Sequence, residues 1–419
     1  MQTCRVSNSN LYPLFSMGDL YVSDFLPSDT DIVPLKSELN LCFNDESKLL
    51  QLGHSIDPHL LYGRYWYRSG TNLSMTAALK DVVDSIRHKI VIPKNGVWLD
   101  IASNDGTLLK FVPKDMIKIG IDPVEDSYKE EALKVADDVV QDFFSKEVYR
   151  NSKYGNRQVD IVTVIAMFYD LNDPGKFLED VHTILDDDGM LVVQMSYTPL
   201  MIRQLAFDNI CHEHVCYYSL TSLKYILNKT GFRIVDCELN DVNGGSFRVY
   251  AKKKSCAVEK FNSAPFRDVA NFRIQSLLDY EYISGFNSCD IYFDFYKKIC
   301  ALRDDTVDFI EGENGRGKRI WGYGASTKGN TLLQWYGLNN SVIDAIAERS
   351  SRKYGLQTVG TNIPIYSEDT MRKANPDYLL MLPWHFVNEF KSREGEYLKD
   401  GGAFITPCPK FEIIRGNNG

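Results

Sequence analysis

One stretch, residues 97–111, constrains the fold of this 419-residue chain more than any other. It begins with an apolar run, continues through a small polar turn at residues 102–106, and then carries apolar residues at helical spacing from Thr107. A strand, a tight loop and a helix in this order form the first unit of an open α/β sheet, which binds ligands beyond the carboxyl ends of its strands. The stretch therefore predicts a ligand site at this loop.

The composition of the loop indicates which kind of ligand it binds. Asp100 ends the strand, and the loop that starts at Ala102 contains Asn104, Asp105 and a single glycine, Gly106. A dinucleotide site needs three closely spaced glycines, because the pyrophosphate requires bare backbone nearby. One glycine beside acidic and amide side chains instead favours a cationic ligand without phosphate, such as S-adenosylmethionine. The alternatives are a nicotinamide dinucleotide and a plain turn without a ligand.

Two further strand ends extend this predicted site. Asp122, followed by Pro123, ends a second short strand, where a carboxylate can accept hydrogen bonds from both ribose hydroxyls of a nucleoside. The loop sequence DIASNDG also resembles motif I of class I methyltransferases. That resemblance implies that Asp142 and Phe143, at the end of a third short strand, lie beside the adenine.

Length, charge and cysteine content bound the class of protein. A chain of 419 residues predicts two or three domains, and an apolar fraction of 44% is enough for ordinary cores. The net charge of −9 disfavours a nucleic-acid partner, because there is no basic field to neutralise phosphates. There is no apolar signal segment at the start, no run long enough for a membrane span, and no disulfide-like framework among the nine cysteines. These features predict a cytoplasmic protein without a membrane partner.

Periodicity and turn residues predict an α/β protein with four parts. Strands alternate with helices in its centre, which indicates a parallel sheet with helices on both faces. The parts are a small loop-rich N-terminal domain (1–75), a Rossmann-like central domain that holds the methyl donor (76–255), a helical connection (256–316) and a second Rossmann-like domain (317–419).

The C-terminal part repeats the pattern of the central one. Its loop of residues 322–329 lies between a strand and a helix, and it carries Ser326, Thr327 and Lys328. Backbone N–H groups at a helix N-terminus favour an anion, so the loop predicts a phosphate site. A degenerate duplicate that only supports the fold is the alternative.

The densest group of titratable side chains lies within residues 207–223, around His212, Glu213 and His214. A histidine with a near-neutral pKa can accept a proton, and a neighbouring carboxylate can orient it, so acid–base chemistry is the first interpretation. Metal binding by the histidines and flanking cysteines is the second, although the helical H-E-x-x-H of metalloproteases is absent. Histidines with a structural role at a domain junction are the third.

The N-terminal segment contains two candidate sites. Cys4 and Cys42 are its only cysteines, whereas a structural zinc site usually has two C-x2-C pairs, so no metal is predicted and zinc is doubtful. Tyr62, Tyr65, Tyr67 and Arg68 precede the central domain and are candidates to face a polar ligand. An aromatic lid that packs on the central domain explains them equally well.

Six motifs, taken in order, resemble one known family along nearly the whole chain: SNDGTLL, CHEHVCYYSL, NGGSFRVY, GASTKGNTLLQ, VGTNIPI and LPWHF. Together they are similar to the three-domain, S-adenosylmethionine-dependent C-methyltransferases that modify C-3′ of nucleotide-linked 4-keto-6-deoxy sugars. The resemblance implies a dTDP- or GDP-linked sugar as substrate and a place in branched deoxysugar biosynthesis. This chain departs from the family in lacking most of its zinc cysteines, in having Cys211 where many members have tyrosine, and in having Asp170 where histidine is frequent.

The resemblance also implies roles for individual residues. His214 is expected to remove the C-3 proton and give an enolate, while Glu213 and His212 orient it or stabilise the enolate. Tyr62 is a further catalytic candidate, and residues 326–328 are expected to hold the diphosphate. The implied substrate-binding residues are Tyr65, Arg68, Cys211, Asn243, Ser326, Thr327, Lys328, Asn330, Trp384 and His385. An N- or O-methyltransferase acting on a nucleotide sugar, or an inactive sugar-nucleotide-binding subunit, are the alternative functions.

Overall fold

The computed structural model describes residues 3–62, 66–256 and 264–416, which form four β-sheets joined and covered by helices. Within these ranges, no helix combines the length and apolar character that crossing a membrane requires. The predicted α/β class, with two Rossmann-like sheets and a small N-terminal unit, is confirmed by the sheet orders given below.

The N-terminal segment contributes three strands to a four-stranded antiparallel sheet and one strand to a separate pair. Its fourth strand, Cys216–Tyr217, comes from the chain that directly follows the His-Glu-His motif and pairs with Leu50 and Gln51. This sheet therefore holds one end of the motif loop. The elements of the segment are strands β1 (Tyr12–Tyr21), β2 (Phe25–Pro27), β3 (Lys36–Phe43) and β4 (Leu50–Leu52), and helix α1 (Pro58–Tyr62).

A seven-stranded sheet forms the centre of the molecule. Its elements are α2 (Leu73–Lys89), β5 (Val97–Ile101), β6 (Ile117–Ile121), α3 (Asp126–Ala132), β7 (Asp138–Val140), α4 (Lys146–Arg150), β8 (Val159–Ile165), α5 (Pro174–Ile184), β9 (Leu185–Ser196), α6 (Thr198–Arg203), β10 (Cys216–Tyr217), α7 (Leu220–Lys229), β11 (Phe232–Asn240) and β12 (Ser246–Lys253). The strand order is β11-β12-β9-β8-β5-β6-β7, in which the β11–β12 and β12–β9 pairings are antiparallel and the other pairings are parallel. The chain leaves β5 toward β6 on one side and later returns to β8 on the other. That reversal is the switch point where open sheets bind ligands.

The helix predicted to open at Thr107 is wrong. The segment instead forms a turn held by Asp105, which accepts hydrogen bonds from Thr107, and then a single 3-10 turn at Leu109–Phe111. Pro113 requires an extended residue before it, and Val112 is extended, so too few residues remain for an α-helix. The buried leucines still anchor the segment in the core.

Two long helices, α8 (Ala264–Ile283) and α9 (Asp290–Gly315), connect the central sheet to the C-terminal one. Glu281 of α8 is fully buried and its carboxylate accepts hydrogen bonds at the start of α7, from the backbone of Leu220 and Thr221 and from the Tyr197 hydroxyl. A side chain from the connection thus caps a helix of the central domain, close in sequence to the His-Glu-His motif.

We expect Glu281→Ala to lower the free energy of unfolding by about 1–3 kcal/mol, the usual cost of leaving buried donors without an acceptor. Urea denaturation followed by circular dichroism measures this change. Asp279→Ala removes an exposed acid from the same helix and serves as the control, with an expected change close to zero. Equal effects of the two substitutions would contradict the capping role.

The C-terminal domain carries a six-stranded sheet in the order β16-β14-β13-β17-β18-β19, parallel except for the last strand. The strand predicted over residues 377–386 ends at Met381, because Pro383 cannot donate to the sheet and a 3-10 turn follows at Trp384–Phe386. The elements are β13 (Ile320–Tyr323), α10 (Thr327–Tyr336), β14 (Ala345–Glu348), β15 (Leu356–Thr358), β16 (Ile365–Ser367), α11 (Glu368–Ala374), β17 (Tyr378–Met381), α12 (Val387–Arg393), α13 (Gly395–Lys399), β18 (Ala403–Thr406) and β19 (Glu412–Arg415). Strand β15 pairs with β2, which joins the C-terminal domain to the N-terminal segment.

Candidate active site

One cavity of about 410 Å³ lies between the central domain and the C-terminal domain. It is lined by the loop after β5, by the His-Glu-His motif and by the first residues of α10. Among the predicted site residues, the cavity brings together Asp100, Ala102, Asn104, Asp122, Pro123, Phe143, Glu213, His214, Asn243, Ser326, Thr327, Lys328 and His385. Its volume is within the range typical of small-molecule sites, roughly 300–1,000 Å³.

The loop after β5 has the conformation that its single glycine predicts. Gly106 has φ +75, and a Cβ there would lie 2.7 Å from the Cα of Ala132. Glycine is thus required both for the left-handed backbone and for the close approach of α3. Ala102 and Asn104 also have positive φ, and they turn the loop beneath the cavity.

Two buried carboxylates face the cavity from the ends of β5 and β6. Asp122 accepts hydrogen bonds from the backbone of Asn104 (2.7 Å) and Val124 (3.1 Å), and Asp100 accepts one from Thr163 (2.6 Å). Burial raises the pKa of Asp100 to about 7 and that of Asp122 to about 6. Each carboxylate oxygen retains a lone pair for ribose hydroxyls or a cationic ligand, so the residues present fit S-adenosylmethionine.

A segment ahead of α2 covers this loop. The backbone N–H groups of Ser69 and Gly70 donate to the side chains of Asn104 (3.0 Å) and Asp105 (2.8 Å). Tyr67, one of the tyrosines predicted to face a polar ligand, lines the cavity together with Ser69. Their position agrees with the alternative of a lid that packs on the central domain.

His214 is held in one tautomer by its surroundings. Its Nδ1 lies 2.9 Å from the backbone oxygen of Asn209, and a carbonyl oxygen only accepts, so Nδ1 carries the proton. Nε2 is then left with a lone pair. Burial lowers the pKa of His214 to about 3, with a smaller contribution from Lys328, so the ring is neutral at physiological pH. The ring also packs edge-on against Tyr169, which further limits its orientation.

Glu213 lines the same cavity as His214 but titrates in the opposite direction. Burial raises the pKa of Glu213 to about 7, and the positive charge of Lys328 opposes this increase. Two neighbouring groups whose pKa values are displaced in opposite directions are typical of acid–base sites.

His212 does not line the cavity, which does not support its predicted role beside the base. Its Nε2 lies 3.0 Å from the backbone oxygen of Ser37, and its ring contacts that of His54 in the N-terminal domain. The third interpretation of the motif, a structural histidine at a domain junction, describes this residue. The chain turns at residues 211–214, where His214 N donates to the Cys211 oxygen at 3.1 Å, and the two histidines lie in different surroundings.

Several other predicted residues also lie outside the cavity lining. Arg68 stacks on Tyr128 and donates to Ser127, so a contact with substrate is not supported. Asp142 is exposed and accepts a hydrogen bond from the backbone N–H of Phe143, which does not support a contact with adenine. Cys211 is buried, and Asp105 and Gly106 belong to the turn after β5 without lining the cavity. Asn330 donates to the backbone oxygen of Asp24, and Trp384 donates to the carboxylate of Asp208. Tyr65 and the side chain of Tyr62 lie outside the described residues.

Sequence reasoning missed Asn209 and Asp208, which precede the His-Glu-His motif. Asn209 binds His214 through its backbone oxygen and Lys328 through its side-chain oxygen. Asp208 is buried and accepts from Trp384 at 3.0 Å. The sequence feature that could have identified them is a pair of polar residues within the apolar segment that directly precedes the motif.

The cysteines of the N-terminal domain do not fit a structural zinc ion. Cys4 Sγ lies 3.3 Å from the Ser47 hydroxyl, and the cationic Arg5 lies next to Cys4 in the chain. The described part of the chain contains one group that could hold a metal, formed by Cys211, Glu213 and His214, with ligand atoms within 4.8 Å of one another. Burial raises the pKa of Cys211, which favours the thiol over the thiolate that a metal requires.

We expect elemental analysis of protein purified without added metal to find well under one zinc ion per chain. Neither the two N-terminal cysteines nor the protonated Cys211 offers the thiolate set of a closed zinc site. A stoichiometric zinc content would contradict this expectation. Loss of that zinc in Cys211→Ser would then assign it to the cavity, and its retention would assign it to the N-terminal domain.

Two family descriptions match the sequence. Residues 74–236 match a family described as a methyltransferase domain, and residues 241–409 match one described as the C-methyltransferase C-terminal domain. A relative, the C-methyltransferase NovU of Streptomyces niveus, is 29% identical over 371 residues, which cover 87% of this chain and 85% of the relative.

Solved structures resemble part of the chain at low similarity. The plantazolicin methyltransferase BpumL in complex with SAH is 11% identical, with a TM-score of 0.33, over 42% of this chain and 82% of that protein. The magnesium protoporphyrin IX methyltransferase of Synechocystis PCC 6803 with bound SAM is 11% identical, with a TM-score of 0.31, over 43% of this chain and 79% of that protein.

Proposed function

We propose that this S-adenosylmethionine-dependent C-methyltransferase adds a methyl group to C-3′ of a nucleotide-linked 4-keto-6-deoxy sugar. The observation that carries the proposal is the meeting of three parts in one cavity: the single-glycine loop, the pair Glu213 and His214, and the first turn of α10. The sequence matches support carbon as the acceptor, and the sugar is the substrate that the six motifs imply.

The methyl donor would be held by the residues at the ends of β5 and β6. Asp122 would bind the ribose hydroxyls, and Asp100 with the loop backbone from Ala102 to Asn104 would bind the remainder. S-adenosylmethionine supplies a methyl group on a positively charged sulfur. The neighbouring carboxylates favour that charge, because their own charge is compensated when a cation binds.

His214 would act as the base that makes the sugar carbon nucleophilic. A ketone at C-4 acidifies the proton on C-3, and the lone pair on Nε2 of a neutral His214 can accept it. Asn209 keeps the proton on Nδ1, so the ring presents the correct nitrogen without a tautomeric change. Ionised Glu213 would stabilise the imidazolium that forms. Heteroatom methylation has less need of such a base, because its acceptor already has a lone pair.

Incubation of the protein with S-adenosylmethionine and a panel of dTDP- and GDP-linked 4-keto-6-deoxy sugars tests this function. Mass spectrometry detects an added methyl group, and the carbon–carbon connectivity in the NMR spectrum identifies its position. A methyl group on C-3′ supports the proposal. A methyl group on nitrogen or oxygen would contradict C-methylation of the sugar. Binding of the sugar nucleotide without any transfer would indicate an inactive subunit.

A further inference from the structure

Lys328 is the cation of the cavity, and it lies beside the base. Its Nζ donates to Asn209 Oδ1 at 2.6 Å, which leaves two of the three ammonium N–H groups for other acceptors. Within the described ranges, no carboxylate forms an ion pair with this group. Lys328 therefore places a positive charge on the cavity wall, where it acts on the buried carboxyl groups of Asp208 and Glu213.

Asn209 joins this lysine to the base. Its side-chain oxygen binds Lys328, and its backbone oxygen, 2.9 Å from Nδ1, orients His214. Asn209 is 5% exposed, and its Nδ2 donates to the backbone of Ala206, so the residue is fixed on both sides. The positive charge and the base are consequently held by one rigid residue.

Several hydrogen-bonding groups of the loop that carries Lys328 are already bound to other groups of the protein. Ser326 caps α10 by accepting from Gly329 N at 3.0 Å, and Ala325 N donates to the carboxylate of Glu348 at 2.7 Å. A phosphate cradle would instead keep such donors available and would exclude a carboxylate. The predicted use of residues 326–328 as the diphosphate site is not supported by these contacts.

We propose that Lys328 is a catalytic residue that stabilises the enolate oxygen at C-4, and that it does not hold the diphosphate. This inference rests on the proposed function. In the step concerned, the C-3–H bond breaks and the proton moves to Nε2 of His214. The electron pair forms the C-3–C-4 double bond, and the C-4 oxygen takes a negative charge that the ammonium group of Lys328 binds. One proton and one electron pair are moved, and no further reactant is needed.

The geometry of the sugar favours this assignment. C-3 and the carbonyl carbon C-4 are bonded to each other, so a group that stabilises the enolate oxygen must lie near the base. The diphosphate is attached at C-1, on the opposite side of the ring from C-4. With C-3 placed at Nε2 of His214, a cation held by the same residue as His214 would lie nearer to C-4 than to the phosphates.

The substitution Lys328→Met separates the two roles. We expect kcat to fall by about 10²–10³-fold, the usual cost of removing one oxyanion donor, whereas the Kd of the free nucleoside diphosphate changes by less than about threefold. Lys328→Arg keeps the charge and should recover part of kcat. Lys318→Met removes an exposed lysine of the same domain and serves as the control. Melting temperature and donor affinity by calorimetry verify that each variant is folded.

The outcomes separate this inference from the proposed function. If the wild-type protein methylates no nucleotide-linked 4-keto sugar, the proposed function fails, and the role of Lys328 fails with it. If the wild-type protein is active and Lys328→Met retains kcat but loses nucleoside diphosphate affinity, only the role of Lys328 is overturned. A fall in kcat with unchanged nucleotide affinity in a folded variant supports it.

Discussion

His214→Ala is expected to lower kcat for methyl transfer by about 10²–10⁴-fold, the usual contribution of a general base. The reason is the fixed geometry of the ring, whose protonated Nδ1 faces Asn209 and whose Nε2 carries the lone pair. The affinity for S-adenosylmethionine should change little, because the loop after β5 is a separate part of the cavity wall. Steady-state kinetics and calorimetry measure the two quantities.

Exchange of the C-3 hydrogen with deuterated water provides a second readout. The wild-type protein should exchange this hydrogen, and His214→Ala should not. His212→Gln is a matched control from the same motif, because His212 faces the N-terminal sheet, and its kcat should stay within about threefold of wild type, far from the loss expected for a base. If His214→Ala retains exchange and turnover, the base is another residue, and Tyr62 is the next to test. If the wild-type protein shows no exchange, turnover alone decides.

The pH dependence of kcat, measured at saturating S-adenosylmethionine so that Asp100 and Asp122 are covered by the donor, is expected to report Glu213 and not His214. The pKa of His214 is lowered to about 3, so His214 stays neutral from pH 5 to 8 and contributes no change there. The pKa of Glu213 is raised to about 7, and its ionised form stabilises the imidazolium, so the rate should fall as the pH decreases through 7. Glu213→Gln should be slower and should lack this fall. A decrease above pH 7 in the wild-type protein would instead identify Glu213 as a proton donor.

Asp122→Ala is expected to weaken binding of S-adenosylmethionine by about 1.5–3 kcal/mol, the cost of losing hydrogen bonds to a charged group, which corresponds to a 10- to 150-fold higher Kd. The carboxylate also fixes the loop by accepting from the backbone of Asn104 and Val124. Removing it therefore costs both ligand contacts and loop order. Titration calorimetry measures the change.

Asp142→Ala is the matched control for Asp122. Asp142 is also an acid after a strand of the same sheet, but it is exposed and does not line the cavity. Its substitution should leave the Kd within about twofold, since surface substitutions change stability or binding by only a few tenths of a kcal/mol. Unchanged affinity in Asp122→Ala would remove that residue from the donor site, and a large loss in Asp142→Ala would place the adenine at the bend after β7.

The parts of the site formed by one continuous segment could be predicted from the sequence, because a strand, a loop and its glycine follow one another along the chain. Asp100, Gly106 and Asp122 are of this kind, and the structure places them at the switch point of the central sheet. The helix after Gly106 failed because Pro113, which lies beyond the apolar pattern, limits its length. Contacts between distant segments carry no local pattern, so the partners of Asn209 and the separation of His212 from His214 could not be predicted.

Strand β10 restricts how this protein can be recombined with others. The strand lies immediately after the motif loop, yet its partner, β4, belongs to the N-terminal segment. That segment is therefore not an interchangeable module, since exchanging it for the corresponding part of another enzyme would replace the surface on which the loop is seated. A chimera that preserves donor binding would still lose turnover unless β4 and β10 were transplanted together as a matched pair.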